Sequence, residues 1–244
     1  MGIYALSGGI DELMSSIQNI DLVFDATSAS DHIKHADQII SAGKHLINLT
    51  PAKLGNYYVP GVTSLLEKQA APMHLNMVTC GGQTAIPIID SLQRNFPQLS
   101  DIEIVSTISS KSAGPATRRN LDEYIDNTEQ AISKLTGVSK AKAMILLNPA
   151  NPEILMHTSL YFTIPDSSKE VIRNALVDTI LFVKERCPGY EISSETVSIG
   201  ADTYHLAISV RGSGDYLPVY AGNLDIINVA AIFGAEEIVR ITHD

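Results

Sequence analysis

The stretch Leu22-Val-Phe-Asp-Ala-Thr-Ser-Ala-Ser-Asp-His-Ile-Lys-His-Ala-Asp-Gln-Ile-Ile-Ser-Ala-Gly-Lys-His-Leu-Ile-Asn-Leu49 reads as strand, helix, strand. Leu22 to Ala26 is a short apolar run with β-branched and aromatic content. From Ser30 to Ala42 the residues Ile33, Ala36, Ile39 and Ile40 recur at helical spacing, and Gly43 closes the helix. His45 to Leu49 is the second strand, and Met73 to Thr79 adds a third. Strands joined by crossover helices form a parallel sheet, and such sheets collect ligands beyond the carboxyl ends of their strands.

Further along, period-two strands stand beside long amphipathic helices. Ile102, Ile104, Ser106 and Ile108 share one strand face, as do Tyr204, Leu206, Ile208 and Val210. Ala141 to Leu147 and Met156 to Ile164 read as two more strands, split by Asn148-Pro-Ala-Asn-Pro152. Leu121, Tyr124, Ile125, Thr128, Ala131, Ile132 and Leu135 mark a helix, and Ser167-x-x-Glu170 reads as a capping box opening another that stops before Pro188-Gly189. A last helix, about Asn223 to Arg240, is expected to return to the first sheet. The fold class is therefore α/β: a parallel-sheet domain from residues 1–81 and 216–244, with a mixed α+β domain over 82–215.

Composition narrows the function classes. The 244 residues carry 17 Lys+Arg against 27 Asp+Glu, a net charge of −10, and no basic block on which sequence-independent nucleic-acid binding could rest. The longest apolar runs, such as Val229 to Phe233, fall far short of the roughly 18 residues of a membrane span, and Met1 to Leu6 lacks a signal-peptide pattern. A cytoplasmic location is expected. Gly2 is not a myristoylation site, because Leu6 stands where Ser or Thr is needed. The histidines offer no ligand spacing beyond the pair His32 and His35, so no metal is assigned.

Two cysteines in a chain of this size form no disulfide framework. Cys80 follows the third strand and precedes Gly81-Gly82 and a helix starting near Gln83. At the positive end of a helix dipole a thiol is expected to have a lowered pKa, which would make Cys80 a nucleophile. The competing reading is a small buried hydrophobe. Cys187, at the negative pole of its helix, reads as structural.

Four strings, Asn76-Met-Val-Thr-Cys-Gly-Gly-Gln83, Ser109-Ser-Lys-Ser-Ala-Gly-Pro-Ala-Thr-Arg-Arg-Asn120, Asn148-Pro-Ala150 and Tyr216-Leu-Pro-Val-Tyr-Ala-Gly-Asn-Leu-Asp225, resemble the acylating (acetylating) acetaldehyde dehydrogenases, and the likeness runs along the whole chain. The resemblance implies oxidation of a short aldehyde to its acyl-CoA with NAD and coenzyme A, in aromatic hydrocarbon catabolism, on a partial Rossmann-like, dinucleotide-binding domain (1–81 and 216–244) joined to an α+β catalytic and dimerisation domain (82–215). Cys80 would form the thioester intermediate. The nucleotide-binding segment would be Ser112, Ala113, Gly114, Pro115, Ala116, Thr117, Arg118, Arg119 and Asn120, with Asn223 at the nicotinamide carboxamide. Read from residues alone, that segment is a turn capping the next helix, Lys111, Arg118 and Arg119 are as readily a solvated basic patch, and Asn223 is as readily an N-cap. Thr27 and Ser28 are placed to touch a ribose or to cap a helix. The implied partners are a 4-hydroxy-2-oxovalerate aldolase and a second copy of the chain, as homodimer or hetero-oligomer.

Two departures from that family stand out. No glycine-rich strand-turn-helix precedes the first strand; Gly8-Gly9 lies in a turn ahead of a helix over Ile10 to Ile17. After Asn148-Pro-Ala150, where the family carries an acidic base, this chain has His157-Thr158. Thr158 cannot take a proton at neutral pH, and His157 is expected on the opposite side of the strand. The alternatives are a related Cys-dependent reductase of an acyl phosphate or semialdehyde, a catalytically weakened homologue acting as subunit or scaffold, and, weakest, a Cys-His hydrolase.

Overall fold

The computed structural model describes residues 4–65, 72–192, 196–200 and 202–243, excepting the side chains of Ala116 and His243. The readings made on Met1 and Gly2 lie outside them. In chain order the elements are α1 Gly9–Ser15, β1 Leu22–Asp25, α2 Ala29–Ser41, β2 His45–Asn48, β3 Asn56–Tyr57, β4 His74–Asn76, α3 Cys80–Asn95, β5 Asp101–Ser109, α4 Pro115–Arg119, α5 Leu121–Thr136, β6 Lys140–Asn148, β7 Met156–Thr163, α6 Lys169–Arg186, β8 Tyr190–Ile192, β9 Val197–Ser198, β10 Thr203–Val210 and α7 Gly222–His243.

The first sheet has the order β1-β2-β4-β3, with every pair parallel. The strand-helix-strand signal of Leu22 to Leu49 is realised as β1-α2-β2. Gly43, at φ +75°, ends α2 by giving its N–H to the Ile40 carbonyl while Lys44 N–H reaches Ile39. Leu46, Ala36 and Ile39 pack one face of the sheet. The other face, through Ile47, Leu75 and Tyr58, takes Ala230, Ala231 and Ile238 of α7. The last helix thus returns to the first sheet, and the Tyr58 hydroxyl fastens it by donating to Glu237 at 2.7 Å.

The second sheet has the order β6-β5-β7-β10-β8, with β9 on β10. β5 and β6 are parallel and joined through α5; the β5–β7, β7–β10 and β10–β8 pairs are antiparallel. The alternating residues Ile102, Ile104 and Ile108, with Leu160, Phe162, Leu206 and Ile208, bury one face under Ile86, Ile89 and Leu92 of α3, Ala131 and Ile132 of α5, and Ile172 and Leu176 of α6. The other face is more open: Met144 and Leu146 are about half exposed.

Several element boundaries differ from the sequence reading. α3 starts at Cys80 rather than near Gln83, because Thr79 caps it. The N-cap of α6 is Ser168, whose side chain accepts from Val171 N–H, so the Ser167 capping box is not formed; Ser167 instead gives its carbonyl to the Tyr204 hydroxyl. The two-residue β3 has no periodic signal and was not anticipated. No described helix is long and apolar enough to cross a membrane.

Candidate active site

The chain leaves β4 through a turn in which Val78 adopts φ +59°, a left-handed conformation that a β-branched residue rarely takes and that costs of the order of 1–3 kcal/mol. Side chains on both sides impose it. Asn76 Oδ1 accepts the Val78 N–H at 2.8 Å, and Asn127 Nδ2 donates to the Val78 carbonyl at 2.9 Å. Thr79 Oγ1 then accepts the Gly82 N–H at 3.0 Å and α3 begins. Gly82 is needed for this closeness, since a Cβ there would stand 2.6 Å from Val78 Cγ1.

Cys80 is the first residue of α3 and is partly buried. Its Sγ lies 3.4 Å from the Tyr124 hydroxyl, which also accepts the Gly81 N–H at 2.9 Å. The expected lowering of the Cys80 pKa is not what this environment produces. Burial pushes the thiol up, and hydrogen bonds from Tyr124 and from the Gly81 and Cys80 N–H groups offset that only in part. Cys187 is buried at 4% exposure, and burial with nearby Asp225 pushes its thiol up to about 11.

Cys80 opens on a cleft of about 90 Å³ between the two sheets. Thr50 and Pro51, from the end of β2, form one wall, Thr117, Asn120 and Tyr124 another, and Asn223, Leu224 and Ile227 of α7 a third. The Thr50–Pro51 wall is held by Asn48, which accepts from Thr50 N–H and Oγ1 at 2.8 and 2.7 Å and donates to the Ala52 carbonyl. Asn76 donates to the same carbonyl.

Cys80, Thr117, Asn120 and Asn223 therefore meet around one cavity, although 143 positions separate Cys80 from Asn223 in the chain. Asn223 is not an N-cap. It lies inside α7 at 3% exposure, its Nδ2 donates to the Ser112 carbonyl at 3.4 Å, and its Oδ1 is buried without a hydrogen-bond partner. Ser112 and Ala113 are buried, with Ser112 Oγ donating to Ser109. Gly114 precedes Pro115, the first residue of α4, which carries Ala116; the Ala116 side chain lies outside the described residues. The basic cluster is partly spent: Lys111 pairs with Glu153, and Arg118 grips the Ala113 and Ser110 carbonyls while Arg119 is exposed.

Thr27 and Ser28 are occupied locally, Thr27 donating twice to Asp25 and Ser28 capping α2. Thr158 is fully buried against Ser106, 3.0 Å between hydroxyls, while His157 points to the exposed face of the second sheet. His32 is buried in a relay, with Nδ1 2.8 Å from Asp25 and Nε2 3.0 Å from His74 Nε2. Burial would raise the Asp25 carboxyl, but hydrogen bonds from His32 and Thr27 hold it at about 2. Burial, and then the neighbouring His32, bring His74 down to about 4.

Sequence reasoning missed Tyr124, read only as part of an apolar helix face, and the asparagine braces Asn48, Asn76 and Asn127. Asn48 and Asn76 had a signal: each ends a strand and bonds the N–H two residues on, the Asx-turn pattern.

Comparisons with known proteins converge on one family. Residues 80–218 match the family model described as prokaryotic acetaldehyde dehydrogenase, dimerisation. An acetaldehyde dehydrogenase of Pectobacterium atrosepticum is 41% identical over 238 residues, covering 98% of this chain and 80% of that protein. One from Spirochaeta aurantia is 42% identical over 246 residues, covering 100% and 81%. Among solved structures, aspartate semialdehyde dehydrogenase II of Vibrio cholerae superposes with a TM-score of 0.60 at 12% identity, covering 92% of this chain and 79% of that one, a likeness of fold.

Proposed function

Because this chain belongs to the acetaldehyde dehydrogenase family, we propose that it oxidises acetaldehyde or another short aldehyde to its acyl-CoA, with NAD taking the hydride and coenzyme A the acyl group. One observation carries this reading: Cys80 sits at a strained turn on a cleft whose far wall holds a buried amide oxygen, Asn223 Oδ1, with nothing to bind. An unpartnered acceptor at that depth fits the NH₂ of a nicotinamide carboxamide. Asn223 and the Ser112 to Asn120 segment would hold the cofactor there, with Thr117 and Asn120 facing the cleft. NAD, when bound, supplies a ring that accepts hydride.

The chain's own part is nucleophilic. Cys80 Sγ bonds the carbonyl carbon of the aldehyde, its proton leaves for solvent, and the thiohemiacetal loses hydride to become a thioester on Cys80. The thiolate of coenzyme A then attacks that thioester and Cys80 is released as leaving group. The cleft is lined by no carboxylate, imidazole, lysine or arginine, so among the described residues lining it the CoA thiol finds no base.

In this reading residues 1–81 and 216–244 form the nucleotide-binding domain, with Cys80 at its edge, and 82–215 form the domain that completes the active site, lends Ser112 to Asn120 to the cofactor and pairs with a second copy. The open face of the second sheet, where Met144 and Leu146 are exposed, suits pairing with a second copy. A 4-hydroxy-2-oxovalerate aldolase is the partner that the family resemblance implies. The scaffold alternative draws no support from the comparisons. The test is NADH formation: beyond one equivalent per Cys80 it should require both acetaldehyde and CoA, and it should vanish in Cys80→Ala. Turnover that requires phosphate in place of CoA would support the acyl-phosphate reductase instead.

A further inference from the structure

We propose that Tyr124 sets the Cys80 sulfur for attack: its hydroxyl is anchored by the Gly81 N–H and gives its own proton in a hydrogen bond to the thiolate. The inference rests on Cys80 being the nucleophile and adds the group that stabilises its reactive form. Proton accounting supports the direction of the bond. The phenol oxygen accepts from Gly81 at 2.9 Å, so its single proton is available for Sγ at 3.4 Å. The neighbouring Thr79 Oγ1 accepts the Gly82 N–H, lies 2.8 Å from Thr128 Oγ1, and also bonds the phenol oxygen in the sense that lowers its pKa, as a donor, which leaves the phenol proton for sulfur. Thr128 in turn donates to the Tyr124 carbonyl at 2.7 Å, which fixes this turn of α5.

Tyr124 is buried at 6% exposure, and burial followed by the adjacent sulfur raises its phenol well above the ordinary range. It therefore keeps its proton at neutral pH and acts as donor, never as base. Among the described residues lining the cleft, these two are the titratable ones. Gly81 makes the arrangement possible, because a Cβ there would stand 2.5 Å from the phenol oxygen and 2.6 Å from Ser106 Oγ. When the Cys80 proton departs to solvent, the charge left on sulfur faces the phenol O–H and the first N–H groups of α3.

The test reads Cys80 directly and needs neither NAD nor CoA. The rate of iodoacetamide alkylation at Cys80 is followed by peptide mapping against pH, with Cys187 in the same chain as reference. A hydrogen bond to a charged group sets the expected effect: Tyr124→Phe slows Cys80 about ten- to a hundredfold at pH 7, with the gap closing as pH rises and Cys187 unaffected. An unchanged or faster Cys80 rate, or slowing by the same factor at every pH, overturns the proposal. Faster labelling of Cys187 would report a disturbed fold. In that event site-specific 3-fluorotyrosine at position 124, isosteric and a stronger donor, decides. It must raise the Cys80 rate at neutral pH; no rise overturns the proposal. A Cys80 that responds as described in a protein without aldehyde turnover would refute the dehydrogenase reading and leave this one standing.

Discussion

Gly81→Ala adds one methyl group at the most crowded point of the site. The new Cβ would lie 2.5 Å from the Tyr124 hydroxyl, 2.6 Å from Ser106 Oγ and 3.4 Å from Ser106 Cβ. Neither neighbour can yield freely: Ser106 is 1% exposed and bonded to Thr158, and Tyr124 is packed under α3. Overpacking of this kind costs about 1–3 kcal/mol. Displacing the phenol also weakens its bond from Gly81 N–H, and a buried donor left unsatisfied adds about 1–3 kcal/mol. Against this, replacing a glycine in a helix returns at most about 1 kcal/mol. The net expectation is a loss of about 1–5 kcal/mol, read as a lower urea midpoint with unchanged slope. Gly114→Ala is the control, since its Cβ would meet nothing within 4 Å, and it should cost no more than about 1 kcal/mol. A Gly81→Ala protein as stable as the wild type would refute the packing argument.

Brief alkylation at neutral pH should label Cys80 well before Cys187, whose thiol is buried and titrates only at about 11; peptide mapping that finds Cys187 labelled first would contradict the site. His74 protonates at about 4 in the fold against about 6.5 in an unfolded chain. The folded state thus binds fewer protons between those values, so stability is full above about pH 6.5 and falls by up to about 3 kcal/mol as pH drops to about 4. Denaturation midpoints against pH should fall more steeply below about pH 6.5 in the wild type than in His74→Gln, which keeps only the smaller contribution of the buried His45. Asn223→Ala should raise the KM for NAD while leaving the Cys80 alkylation rate unchanged, and equal KM values for the two proteins would remove Asn223 from the cofactor site.

Most of the architecture was legible because the apolar periodicities are strong and local. Leu22 to Leu49 carried a strand-helix-strand unit with its own glycine stop, and the alternating isoleucines of β5 identified a half-buried strand. The position of Cys80 between a strand and a helix start was legible too, from a thiol and two glycines in succession. Its protonation was not: the helix dipole is a local property that sequence displays, whereas burial against Tyr124, 44 residues away in the chain, is a tertiary one, and burial outweighs it. The Asn223–Ser112 contact was hidden for the same reason, since 111 residues separate the two. Ser28 could be read as cap or as ligand contact, and the backbone settled it, because the Asp31 N–H is within reach of its hydroxyl.

In the proposed reaction Cys80 carries the acyl group between aldehyde and CoA. Mass spectrometry of the peptide containing Cys80, after incubation with acetaldehyde and NAD but no CoA, reads that step itself. An acetyl group is expected on Cys80, formed with one NADH per adduct and discharged when CoA is supplied. NADH formed without any adduct at Cys80, or an acetyl group found on another residue and passed from there to CoA, would contradict it.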